Sequence, residues 1–98
     1  MVRPKRCRFI KRKPNVTYFK PAGIRLTELE EVVITIDEFE AFRLKDEKGI
    51  NQIEAAKKMK ISQPTFNRLL NSARNKIAKA ISNGHAIKIE GGTYKVKK

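Results

Sequence analysis

Three helix-start signals crowd into the middle of this 98-residue chain. Thr35-Ile36-Asp37-Glu38 has the form of a capping box, in which the threonine oxygen takes an orphan amide while the glutamate reaches back to the cap. Asn51-Gln52-Ile53-Glu54 repeats that logic with asparagine as the cap. Ser62, another good cap, follows only eleven residues later. Between 51 and 62 there is room for one short helix and a tight turn at Met59-Lys60-Ile61, and for nothing else.

The flanking residues set the helix bounds. Lys48-Gly49 stops the first helix, so it is expected at about 36–47, with Ile36, Phe39, Phe42 and Arg43 on one stripe broadened by Ala41 and Leu44. The second is expected at 52–59. In the third, at 63–82, Pro64 lies where an amide has no helical partner, so it loses no bond and presets a helical φ. Phe66, Leu69, Leu70, Ala73, Ile77, Ala80 and Ile81 then recur at intervals of three and four as a single apolar stripe, ended by Asn83-Gly84.

Outside the helices the signals are those of extended chain. Val32-Val33-Ile34 is β-branched and suits a short strand. CRFI and VTYF could pair as a hairpin around Lys13-Pro14-Asn15. Ile87, Ile89, Tyr94 and Val96 alternate with polar residues on either side of Gly91-Gly92, which reads as a C-terminal β-hairpin, with a basic tail as the alternative. The expected fold is mainly α: a basic extended arm over 1–27, a three-helix helix-turn-helix domain over 28–84, and the hairpin or tail over 85–98.

Charge is distributed unevenly along this order. The formal net charge is +13. Residues 1–20 carry eight basic side chains and no acid, residues 28–54 carry nine acids against three bases, and residues 57–98 carry eleven bases against Glu90. Two basic regions around an acidic middle suggest one side for phosphates and another for the molecule itself or a protein partner. No apolar run approaches the roughly 20 residues of a membrane span, and the start has no apolar signal stretch, so a cytoplasmic protein is expected. Cys7 is the only cysteine and His85 the only histidine, which leaves no disulfide, no Cys/His zinc site and no expected cofactor. Cys7 lies among Lys5, Arg6 and Arg8, which would lower a thiol pKa, though an ordinary arm residue accounts for it as well.

A helix that enters the major groove packs its apolar stripe on its neighbours and keeps hydrogen-bonding side chains on its exposed leading turns. Gln63, Thr65, Asn67, Arg68 and Asn71 lie off the apolar stripe. Amides suit adenine and arginine suits guanine, so these five are the candidate base readers. Candidate phosphate contacts are Ser62, at the helix start, and Arg74, Asn75 and Lys79 further along. From the arm they are joined by Arg3, Lys5, Arg6, Arg8, Lys11, Arg12 and Lys13.

The run AFRLKDEKGINQIEAAKKMKISQPTFNRLLNSARNKI resembles the helix-turn-helix of bacterial sigma-factor region 4, which binds promoter DNA. FKPAGI, LEEVVITIDEFEAFRL, ISQPTF, SARNKIAKAI and IEGG together resemble the uncharacterised prokaryotic family "domain of unknown function 134", over nearly the whole chain. The resemblance implies a DNA-binding protein with Ser62 to Arg68 at the front of its recognition helix. One departure stands out. Lys60 occupies a place where such turns usually have glycine, at a position that often needs positive φ.

The leading expectation is a sequence-specific double-stranded DNA binder, a transcriptional regulator, acting as a homodimer where paired half-sites are read. An RNA-binding or ribosome-associated protein is the second reading, which Phe9, Tyr18, Phe19 and Tyr94 would suit by stacking on unpaired bases. A third is a module that binds RNA polymerase or another protein without reading bases. An enzyme is not expected, since no nucleophile has a matching base and no glycine-rich phosphate loop precedes a helix.

Overall fold

The computed structural model describes residues 8–96. In chain order these form β1 (Arg8–Ile10), β2 (Tyr18–Phe19), a 3-10 turn at Leu26–Glu28, β3 (Glu31–Ile34) and α1 (Ile36–Phe42), which runs on as a π-helical segment, Arg43–Glu47. They continue with α2 (Gln52–Met59), α3 (Gln63–Asn83), β4 (Ala86–Ile89) and β5 (Tyr94–Val96). The three helices lie where their caps put them. Both halves of the Thr35 box are formed: the Thr35 hydroxyl accepts the Glu38 amide at 3.3 Å, and the Glu38 carboxylate accepts the Thr35 amide at 2.9 Å. Asn51 Oδ1 accepts the Glu54 amide at 2.9 Å.

The architecture is mixed α/β rather than mainly α, because arm and tail are woven into sheet. In a three-stranded sheet of order β2-β4-β3, β4 is central. It runs antiparallel to β2, with Phe19 opposite Ile87, and parallel to β3, with Ile34 opposite Ile89. Parallel neighbours need a long crossover, and the three helices supply it. A second sheet pairs β1 with β5 in parallel, Arg8 opposite Tyr94 and Ile10 opposite Val96.

Two expected pairings are therefore corrected. Both C-terminal strands form, but not as a hairpin with each other, since both edges of β4 are occupied by β2 and β3. Gly91 and Gly92, at φ +75° and +94°, turn the chain across the start of α1 instead, where the Gly91 carbonyl accepts the Ile36 amide at 3.0 Å. Thr35 and Asp37 leave no room for a side chain at Gly92: a Cβ there would come within 2.8 Å of Thr35 Cβ. The chain then passes to β5 beside β1. Likewise β1 and β2 do not pair around Pro14, because each is taken by a C-terminal strand.

Two small cores result. Ala41, Leu44, Ala55, Ala56, Met59, Phe66 and Leu70 join the three helices, and Ile10, Ile36 and Ile89 join the sheets to the start of α1. The apolar stripe of α3 is narrower than expected. Phe66, Leu70, Ala73 and Ala80 are buried, Leu69 and Ile77 are half-buried, and Ile81 is 73 % exposed. Ala80 takes the inward place in the last turns, and Ile81 lies about 100° further round the helix. No helix among the described residues is long and apolar enough to cross a membrane.

Candidate nucleic-acid interface

The turn between α2 and α3 sets how the leading end of α3 is offered. Lys60 adopts φ 55°, ψ 46°, the only positive φ outside glycine among the described residues. The Lys60 amide donates to the Lys57 carbonyl and the Ile61 amide to the Ala56 carbonyl, both at 3.1 Å. These are the two bonds of a Schellman motif. Ile61 packs against the helical core that contains Ala56, which supplies the motif's apolar contact. The position needs a left-handed residue for this reason, as the sequence had suggested, and lysine fills it. Its ammonium lies 4.7 Å from the centre of the Phe9 ring, which ties the turn to β1.

Ser62 then caps α3, its hydroxyl accepting the Thr65 amide at 3.3 Å and donating to Thr65 Oγ1 at 3.0 Å. Thr65 Oγ1 also accepts from Arg68 Nη2 at 3.1 Å, which leans the guanidinium back toward the start of the helix. Gln63, Arg68 and Asn71 are exposed, and Thr65 is half-buried. Asn67 does not face fully outward as expected. It is half-buried, and its Oδ1 is shielded from solvent without a hydrogen-bond partner. About 60° round the helix from the buried Leu70, it stands at the rim of the buried stripe.

The candidate phosphate contacts divide into free and engaged groups. Asn75, Lys79, Lys11, Arg12 and Lys13 are exposed, with Lys13 Nζ 5.7 Å from the centre of the Tyr94 ring. Arg74 is held by Asp46 through two bonds, Nε at 2.8 Å and Nη2 at 2.5 Å. That contact raises the pKa of the guanidinium and lowers that of the carboxyl. Arg8 Nη1 lies 3.5 Å from an Asp37 oxygen. Arg3, Lys5 and Arg6, together with Cys7, fall outside the described residues.

The acidic middle differs most from expectation. Glu38, besides its expected place in the capping box, and Glu40 lie inside the molecule. With Asp37 they are buried, at 7 %, 4 % and 4 % exposure. A buried carboxylate requires a partner, and each has one. Glu38 accepts from Lys76 at 2.8 Å and from the Ser72 hydroxyl, which clamps α1 to α3. Burial alone would push the Glu38 carboxyl up, but the bonds from Lys76, Ser72 and the Thr35 amide together outweigh it and hold the carboxyl below its ordinary value. Glu40 accepts from Arg43 Nε at 2.9 Å, from Arg43 Nη2 at 3.0 Å and from the Lys11 amide at 3.0 Å. Of these pairings only the Thr35–Glu38 capping box and Glu40–Arg43, each three residues apart, had a local signal in the sequence.

The structure thus defines a small mixed α/β chain with three helices, two sheets and an exposed polar leading end on its longest helix. The chain belongs to the family described as "protein of unknown function DUF134", whose model matches residues 1–97. Among its relatives, a UPF0251 protein of Caldanaerobacter subterraneus subsp. tengcongensis is 57 % identical over 96 residues, 98 % of this chain and 81 % of the relative. Another, from Thermoanaerobacter pseudethanolicus, is 53 % identical with the same coverage. A third, from Dehalococcoides mccartyi strain BAV1, is 52 % identical over 98 % of this chain and 82 % of its own length. No solved structure matches the chain.

Proposed function

We propose that this protein is a sequence-specific double-stranded DNA-binding protein, a transcriptional regulator of the cytoplasm, in which α2 and α3 act as a helix-turn-helix and α3 reads the major groove. The observation that carries the reading is the junction at 59–63. A left-handed turn at Lys60 leads directly into a Ser62 cap, so that α3 is anchored by Phe66 and Leu70 while Gln63, Arg68 and Asn71 stay exposed on its first turns. An amide pair and an arginine in that place have the donors and acceptors that adenine and guanine edges require. The Lys60–Phe9 contact supports a joint role for arm and helix, because it brings β1 beside the leading end of α3. The exposed cations Lys11, Arg12, Lys13 and Lys79 then add phosphate contacts that carry affinity rather than sequence.

Selection of binding sites from a random duplex pool tests this. A consensus should emerge, and Arg68→Ala should relax it at one position while weakening the best site by roughly 1–3 kcal/mol. Equal affinity for all duplexes, with tighter binding to single strands, would favour RNA or single-strand recognition through Phe9, Tyr18, Phe19 and Tyr94. Binding to RNA polymerase that survives Arg68→Ala, without duplex selection, would favour an interaction module.

A further inference from the structure

Between β1, the end of α1 and α2 the chain forms a half-open cleft of about 650 Å³. That volume is in the range of small-molecule sites. Its aliphatic floor is formed by Ile10, Leu44 and Ile50, of which Ile10 and Leu44 are almost wholly buried and Ile50 is half-buried. Its rim carries the ammonium groups of Lys11, Lys48 and Lys58. The remaining pair in the wall, Glu40 and Arg43, neutralises itself through the two bonds described above. Lys48 pairs at 3.3 Å with Glu47, both half exposed, while Lys11 and Lys58 have no acidic partner among the described residues. The cleft therefore has a surplus of positive charge around an apolar floor, with Glu54, one turn before Lys58 on α2, the nearest acid along that helix without an ion-pair partner among the described residues.

The wall of the cleft includes the π-helical segment. There the Lys48 amide donates five residues back to the Arg43 carbonyl at 3.0 Å, and the Ile50 amide closes the turn on the Leu44 carbonyl at 3.0 Å. A widened turn of this kind costs helical regularity and is found most often at functional sites. Here it brings Arg43, Leu44, Lys48 and Ile50 to one wall.

We propose that this cleft binds a small aliphatic organic anion, a carboxylate or phosphoryl head on a saturated chain. The head would be met by Lys11 and Lys58 and the chain laid against the half-buried Ile50, with the almost wholly buried Ile10 and Leu44 behind it. A bare inorganic anion would gain nothing from the floor, and a neutral chain nothing from the rim. The absence of an aromatic ring from the lining favours a saturated chain over a stacked base. The inference does not depend on the DNA-binding reading: Lys11 is shared with the proposed phosphate contacts, but Lys58 and the aliphatic floor have no part in them.

The test is an amide-resolved NMR titration of the intact chain without DNA, using sodium octanoate and octyl phosphate below their micellar concentrations, with 1-octanol and inorganic phosphate in parallel arms. Saturable shifts at Ile10, Leu44 and Ile50 are expected with at least one of the two charged chains, with Kd on the order of 1 mM. Lys11→Met combined with Lys58→Met keeps the aliphatic stems and removes both charges. It should weaken that binding roughly fivefold to tenfold and leave any 1-octanol binding unchanged. Equal binding of 1-octanol or of inorganic phosphate, or no change in the double variant, would overturn the proposal. So would shifts confined to other parts of the chain. Loss of the cleft reading leaves the duplex selection unaffected, and loss of the duplex reading leaves the titration unaffected.

Discussion

Replacing Lys60 by glycine and, separately, by alanine measures what the turn before α3 demands. Both substitutions remove the same contact, the ammonium 4.7 Å from the Phe9 ring centre, worth about 0.5–1 kcal/mol at a partly exposed site. They differ in the backbone. At φ 55°, ψ 46° a residue with a Cβ is strained by roughly 1–2 kcal/mol, which glycine escapes. Glycine gives back about 0.5–1 kcal/mol through the larger freedom of its unfolded chain. Lys60→Gly should therefore be more stable than Lys60→Ala by about 1 kcal/mol, and close to the parent chain, while Lys60→Ala falls below the parent by the lost ring contact. For a domain of this size the difference between the variants is a shift of about 4–8 °C in Tm. Urea unfolding with equal m-values is the direct assay. A Phe9→Leu background, in which Lys60→Ala should lose much of its cost, separates the ring contact from backbone strain. If glycine is no more stable than alanine, the residue does not hold a left-handed turn, and the presentation of α3 argued above is wrong.

The other predictions concern the turn at Gly92, the paired acids and the arm. Gly92→Ala adds a Cβ against Thr35 and Asp37 at a φ of +94° and should cost roughly 2 kcal/mol or more, whereas Gly84→Ala, with open space around it, carries backbone strain alone; thermal unfolding of the two side by side separates clash from strain. Glu38 and Asp46 both titrate below their ordinary values of 4.5 and 3.8 when folded. Their stabilisation is complete above those values and is lost as pH falls through the lowered folded ones, and Glu38→Gln should flatten that acid limb in a pH series of unfolding curves. Asp46→Asn releases the Arg74 guanidinium and should steepen the dependence of log K on log salt for duplex DNA by about one unit, an effect that Arg74→Gln in the same background removes. Deleting residues 1–13 takes away β1 and the fully buried Ile10, so it should unfold the second core; substitution of Lys11, Arg12 and Lys13 by serine is the sound probe of the arm, and should weaken all duplexes alike.

The helices were legible because each is announced locally. Thr35, Asn51 and Ser62 all act on amides within three residues of themselves, and the bounds they imply agree with α1 and its π-helical continuation, α2 and α3. The need for a left-handed residue at 60 was suggested instead by the resemblance to helix-turn-helix turns, which usually have glycine there, and Lys60 adopts φ 55°. Strand pairing was not legible, since period-two alternation shows that a segment can be a strand and says nothing of its neighbour. Gly91-Gly92 carries the composition of a hairpin, yet its conformation is decided by Ile36 and Asp37, more than fifty residues away in sequence. Within the candidate interface, the exposure of Gln63, Arg68 and Asn71 followed from the helical period. The shielding of Asn67 Oδ1 and the capture of Arg74 by Asp46 depended on packing between elements that the period does not describe.

The buried acids explain how a chain of net charge +13 keeps a compact middle. Read along the sequence, the acids from Glu28 to Glu54 look like a surface that would repel a polyanion. Folded, Asp37, Glu38, Glu40 and Asp46 each bind a base, and two of these bases, Lys76 and Arg74, belong to α3. The Glu38–Lys76 and Asp46–Arg74 pairs join α1 and its continuation to the long helix beyond its leading turns, and they neutralise two cations of α3. Removing one acid leaves a partly desolvated cation without its partner, a larger loss than an exposed pair would give. Among the described residues, the cations without an acidic partner include Lys11, Arg12 and Lys13 of the arm, Lys57 and Lys58 of α2, Arg68 and Lys79 of α3, and also Lys45 and Lys95. Charge sorting of this kind follows from folding alone, and it leaves the net positive charge on exposed side chains rather than in the core.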